Sequence, residues 1–169
     1  MVILRALAPE DADAYRPLRL SALQDTPSAF ASSFEEESAR DPAATRERLR
    51  AGPDGATFGA FRDGHLVGTS TLVRLPRRKE RHKAYLVGMY VAPAARRSGI
   101  GRALVAAVVE RARAMPDLRQ VLLGVEAGNV AARALYEAFG FEAFGYERDA
   151  LIVDGVAYDE VHMVWFVDR

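Results

Sequence analysis

The stretch VAPAARRSGIGRALVAAVVE, Val91 to Glu110, decides how this chain is read. It opens as the end of an apolar strand, turns through Pro93, gathers Arg96, Arg97, Gly99 and Gly101, and continues as an Ala/Val-rich helix. A helix N-terminus carries unpaired N–H groups and partial positive charge, so it can hold a phosphate where side chains are small enough to let one approach. Gly99 and Gly101 allow that approach. The Gly-Lys-Ser/Thr of a nucleoside triphosphate loop is absent, and Leu104 stands where a dinucleotide fingerprint needs a third glycine. Alone, these residues also fit an ordinary helix that starts after a glycine turn, so the surrounding pattern has to choose.

Upstream, Val2 to Leu7 alternates as a strand, and Pro9-Glu10-Asp11 starts a helical pattern that runs to about Gln24, with Pro17 expected to kink or restart it. A polar helical flap comes next: Pro27 breaks the pattern, Asp41-Pro42 reads as an N-cap with a first-turn proline, and Gly52 closes the last helix. Two β-type runs flank Asp63-Gly64, a strong hairpin signal, and KAYLVGMYV supplies a third consecutive antiparallel strand after a basic turn. Beyond the quoted helix, which Met115-Pro116 terminates, RQVLLGVEA is a strand and NVAARALYEAFG a short helix closed by Gly140. The C-terminal part reads as a last hairpin turning at Asp154-Gly155. The predicted order is βααβββαβαββ, with no repeat or linker to divide residues 1–169 into more than one domain.

Composition narrows the function classes. Lys plus Arg and Asp plus Glu number 23 each, so the whole protein has no electrostatic reason to seek nucleic acid or an anionic membrane. The basic run between Arg74 and Lys83 reads as an exposed loop, because no aromatic surface is interleaved with it. The absence of cysteine excludes a thiol nucleophile and a Cys-ligated zinc. His65, His82 and His162 lack metal-ligand spacing, so no metal is expected. The N-terminus lacks signal-peptide character and no apolar run would span a bilayer, which makes a soluble, cytoplasmic protein, monomer or homodimer, the expectation.

With both halves in view, the sequence resembles the GCN5-related N-acetyltransferase family. Arg96-Arg97-Ser98-Gly99-Ile100-Gly101 matches its signature of Arg or Gln, two residues, Gly, any residue, Gly or Ala, set between the fourth strand and the third helix. Asn129, Ala132 and Tyr136, followed by Gly-Phe, match a second signature, and the stretch from Tyr85 to Phe144 follows the family. The resemblance implies an α/β (α+β) fold. Its mixed, largely antiparallel central sheet would have six to seven strands flanked by about four helices, splayed between the fourth and fifth strands.

It also implies acetyl-CoA as co-substrate, with Arg96, Arg97, Ser98, Gly99, Ile100, Gly101 and Arg102 around its pyrophosphate. Met89, Tyr90 and Val91 would pair their backbone with the pantetheine arm, the N–H of Val91 donating to the thioester carbonyl. Asn129 and Tyr136 complete the donor site, with Tyr136 as proton donor to the departing sulfur.

Acetyl transfer to an amine needs a neutral amine, a stabilised oxyanion and a protonated thiolate. An alkyl amine titrates near about 10.4 and a thiol near about 8.5, so protons must be managed at neutral pH. Some relatives place a Glu five residues before the Asn, but here that position is Gly124. Glu126 lies two residues further on the same strand face and is the nearest substitute. One of Glu35, Glu36 and Glu37, in the flap, could attract a cationic acceptor or act as base, and water could equally serve. The expected function is transfer of acetyl to a primary amine of a small molecule, peptide or protein by direct attack, since no cysteine could carry the acetyl group. A CoA-binding regulatory domain, or a transferase using another acyl-CoA or acceptor, is the alternative.

Overall fold

The computed structural model describes residues 1–167. Its strands are β1 (Val2–Ala6), β2 (Gly55–Arg62), β3 (His65–Arg74), β4 (Lys83–Val91), β5 (Gln120–Glu126), β6 (Glu142–Val153) and β7 (Val156–Phe166). The helices are α1 (Ala12–Asp25), α2 (Phe34–Ser38), α3 (Pro42–Arg48), α4 (Ile100–Arg113) and α5 (Val130–Glu137). The flap thus resolves into two short helices rather than one. Helix α1 runs through Pro17 without a break: Pro17 and Asp13, whose carbonyl loses its helical donor, both sit on the exposed side where water can replace it.

One seven-stranded sheet has the order β1-β2-β3-β4-β5-β7-β6. Every pairing is antiparallel except β4 with β5. Both Asp-Gly turns place two successive residues at positive φ, Asp63 and Gly64 at 51° and 81°, Asp154 and Gly155 at 49° and 80°. That backbone matches the twist of the strands it joins, which is why these dipeptides close the β2–β3 and β6–β7 hairpins.

Helix α4 crosses from β4 to β5 and lays Leu104, Val105, Val108, Val109 and Ala112 on the sheet, all buried. Their three-and-four spacing makes one apolar stripe. It meets Leu72, Leu86, Val121, Leu123 and Met163 in the main core. No helix among the described residues is long and apolar enough to cross a membrane.

Two irregularities interrupt the middle of the sheet. The parallel pairing of β4 with β5 covers Lys83 to Tyr85 against Gln120 to Leu122 and then stops, so the strands diverge toward their C-terminal ends. Within β4, Thr71 pairs with Val87 but Thr69 with Tyr90, so β4 carries one extra residue, and Gly88 in that bulge has φ +63°. The outer strand β6 is also broken twice in register, between Ala143 and Gly145 and between Glu147 and Leu151.

Candidate active site

The divergence of β4 and β5 opens a cavity of about 870 Å³. One wall is β4 from Tyr85 to Met89, the other is β5 from Gly124 to Glu126, and the flap covers it with Phe30 and Ser32. Asn129 and Tyr136 of the α5 segment close its end. Past Tyr85 the β5-facing edge of β4 has no strand partner, which leaves peptide groups there for an extended ligand.

Beside this wedge lies the turn into α4. Arg97 at φ 58° and Gly99 at φ 81° fold it back on itself. The backbone N–H groups of Arg97, Ser98, Gly99, Ile100, Gly101 and Arg102 have no acceptor among the described residues; the first helical bond is from Ala103 to the Gly99 carbonyl, at 3.0 Å. Successive unpaired N–H groups at a helix start form an anion-binding concavity. A Cβ on Gly99 would meet nothing within 4 Å, so its surroundings are open.

The arginines of the motif are partly committed elsewhere. Arg96 Nε donates to the Val91 carbonyl at 2.9 Å and its guanidinium pairs with Asp25, which also accepts from the Tyr90 hydroxyl at 3.2 Å. Arg102 stacks over Phe139. The turn and the cavity meet at Met89, whose Cε would lie 3.5 Å from a Cβ on Gly101. Of the three β4 residues, Met89 lines the cavity, Tyr90 points to the flap, and Val91 ends the strand with its carbonyl taken by Arg96.

Asn129 caps α5, its side-chain oxygen accepting from the Ala132 N–H at 3.1 Å. Two turns later Tyr136 is 5% exposed, its ring tilted against Phe141 at 5.8 Å between centroids. Its hydroxyl has no hydrogen-bond partner among the described residues, and burial raises its pKa to about 12. A phenol held neutral at a cavity wall with its proton unshared is a group able to donate it.

Glu126 also lines the cavity, half-buried, and accepts from Ser28 Oγ at 2.6 Å. Glu35 and Glu36 are exposed on α2 and are not among the lining residues; Glu36 is engaged in a capping box with Ser33. That box, with backbone Ser33 leading, holds the Glu36 carboxyl below its ordinary pKa.

Sequence reasoning missed a further carboxylate. A Cβ added to Gly124 would stand 2.7 Å from Oε2 of Glu160, so a side chain from β7 occupies the space beside the position where a β5 carboxylate is wanting. Glu160 groups with Glu147 and His162, their donor atoms all within 4.8 Å. The DEVHM stretch carries Glu160 and His162, but only the pairing of β5 with β7 brings them to the cavity.

The family model described as Acetyltransferase (GNAT) family matches residues 20–141. In structure the chain is similar to the acetyltransferase of GNAT family from Streptococcus pneumoniae, with TM-score 0.84 and 22% identity over 99% of this chain and 100% of that one. It is also similar to the GNAT superfamily phosphinothricin acetyltransferase from Sinorhizobium meliloti in complex with AcCoA, with TM-score 0.82 and 23% identity over 98% and 88%. The ribosomal-protein-alanine N-acetyltransferase from Brucella melitensis is 27% identical, with TM-score 0.79 over 98% and 99%. No curated protein sequence matches the chain.

Proposed function

The chain belongs to the acetyltransferase (GNAT) family, and from that premise we propose that it moves acetyl from acetyl-CoA to a primary amine by direct attack. The observation that carries this reading is the run of six unpartnered N–H groups from Arg97 to Arg102, fit for a diphosphate, next to a wedge that ends on Tyr136. The bound co-substrate supplies the acetyl thioester. The β5-facing edge of β4 orients its arm, and the N–H of Val91 meets the carbonyl oxygen as negative charge develops there, an interaction of a few kcal/mol (roughly 3) in the barrier.

As the C–N bond forms and the C–S bond breaks, Tyr136 gives its proton to sulfur. Asn129 fixes the start of the helix that carries Tyr136, and Glu126, held by Ser28, adds negative charge where a cationic amine must arrive. The acceptor is an amine-bearing small molecule, peptide or protein.

The test is CoA release, followed with a thiol reagent, across a panel of amines. The chain has no cysteine, so the reagent reads CoA alone. Tight acetyl-CoA binding with no CoA release on any amine would refute the transferase and leave a CoA-binding regulator.

A further inference from the structure

We infer that the acceptor is a small molecule bearing both a primary amine and an anionic group, the chemistry of an amino acid, with Glu160 receiving its ammonium and Arg19 its anion. This rests on the transferase reading above and narrows it to one class of acceptor.

The negative end of the cavity is built by register. Glu126 on β5 pairs directly with Glu160 on β7, and Glu160 pairs in turn with Glu147 on β6, so three carboxylates stand in a row across three strands. Like charges directly opposite one another on a sheet are destabilising. Glu126 is relieved by the Ser28 hydroxyl at 2.6 Å and Glu147 by His162 at 2.7 Å. Glu160 has no hydrogen bond or ion pair among the described residues, and it lines the cavity over the bare backbone of Gly124. A half-buried carboxylate flanked by two others and lacking any donor is a place for a cation.

The positive end comes from α1 where it meets the flap. Glu37, 3% exposed, accepts from Arg48 at 3.2 Å and forms an ion pair with Arg40 at 3.4 Å, and Arg19 sits in the same field. Two guanidinium groups therefore pair with one carboxylate, and a third, that of Arg19, lies in its field without an ion pair. Arg19 lies with its guanidinium 4.6 Å over the Phe30 ring and faces the cavity, but donates no hydrogen bond to any described residue; its Nε is fully buried and unpartnered. The pyrophosphate does not answer this need, because the N–H run from Arg97 to Arg102 is no part of the cavity lining.

Arg19 and Glu160 are thus oppositely charged groups in one cavity, each short of a partner and not paired with each other. A polyamine would satisfy Glu160 but bring a second cation toward Arg19. A lysine side chain or the N-terminus of a peptide would leave Arg19 facing a neutral amide. An amine with its own carboxylate satisfies both.

The protons balance between Glu160 and Tyr136. The incoming ammonium loses one proton to the Glu160 carboxylate, freeing the lone pair that forms the C–N bond. The C–S bond breaks and sulfur takes the Tyr136 proton. The second N–H proton lost in forming the amide restores Tyr136, and the first passes from Glu160 to water, His162 and the exposed Glu147 being within 4.8 Å.

The test compares kcat/KM of the unmodified chain for free amino acids and for each one's carboxamide, with spermidine and a lysine peptide alongside. The expected result is at least one amino acid favoured over its own amide by about 10-fold or more, the scale of a lost charged hydrogen bond. Arg19→Gln should bring that ratio to about one while acetyl-CoA affinity is kept. Glu160→Gln should lower kcat/KM on acid and amide alike by about 100-fold or more. Gly124→Glu added to Glu160→Ala should recover part of that loss by returning a carboxylate to the same space. Preference of the unmodified chain for amides, spermidine or the peptide overturns the inference without any variant needing to fold, as does an unchanged ratio in Arg19→Gln. Absence of turnover on every amine overturns the transferase reading itself.

Discussion

Replacing Tyr136 with Phe removes one hydroxyl from a ring that is 5% exposed and otherwise fully packed. That hydroxyl has no partner among the described residues, so its loss strands no donor or acceptor, and Tyr136→Phe should be as stable as the parent or slightly more so. The proton is another matter. A rise in pKa from 10.0 to about 12 corresponds to about 3 kcal/mol favouring the neutral phenol, so Tyr136 keeps its proton throughout any neutral assay. If that proton goes to sulfur, kcat with acetyl-CoA should fall by about 100-fold or more, with the acetyl-CoA dissociation constant unchanged.

The deficit should shrink when acetyl-CoA is replaced by an aryl thioester, whose more acidic thiol leaves without help. The assay is CoA or aryl-thiol release with each donor, beside calorimetry for binding and thermal unfolding for stability. Turnover of Tyr136→Phe within twofold of the parent, or an equal deficit with both donors, would refute the role. The same burial gives a stability signature. The folded pKa lies above the unfolded one, so the stabilisation is complete below pH 10 and is lost as pH rises from 10.0 toward about 12, a slope absent in Tyr136→Phe.

Gly101→Asp should raise the acetyl-CoA dissociation constant by about 10-fold or more, read by calorimetry, because a carboxylate would compete for the free N–H groups at the start of α4. Gly99→Ala should cost about 1 kcal/mol in denaturant unfolding through its left-handed backbone alone, since no neighbour lies within 4 Å of the new methyl. Asp11 accepts from both Arg5 nitrogens at 2.7 Å and from the Ala8 N–H at 2.8 Å, and the Arg5 hydrogen bond leads in holding its carboxyl below 3.8. Its contribution, about 1 kcal/mol after solvent screening, is present above pH 3.8 and lost as pH falls through the lowered value, a loss Asp11→Asn should abolish in acid unfolding. Leu104→Ala, at a fully buried position, should cost about 2–5 kcal/mol by the same denaturant measurement.

What could be read from the sequence was what depends on neighbours along the chain. Asp63-Gly64 and Asp154-Gly155 announce their turns because φ above zero at two successive residues is a local demand. Gly99 announces the turn into α4 through the same demand for φ above zero, and the splay between β4 and β5 came with the family resemblance. Long-range register was hidden. Glu160 reaches the cavity only because β7 inserts between β5 and β6, and because Gly124, read as a missing base, leaves the space that Glu160 fills. Arg19 was invisible for the same reason: its value lies in facing Glu37 of α2, which is already paired with Arg40 and with Arg48 of α3. Glu35, Glu36 and Glu37 read alike as a charge run, yet their helix turns the first two outward and buries Glu37.

The two register breaks in β6 have a consequence for life in a crowded solution. A twelve-residue strand on the rim of a sheet, carrying exposed Phe144, Tyr146 and Ile152, offers a template on which a foreign chain could grow fibril-like layers. The bulges interrupt that template at two points, a feature by which natural sheets blunt their edges. At the second bulge Asp149 turns its N–H inward to the Asp159 carboxylate at 2.9 Å, withdrawing a donor that an intruding strand would seek. The path of the backbone thereby makes the rim a poorer template while it keeps its aromatic side chains.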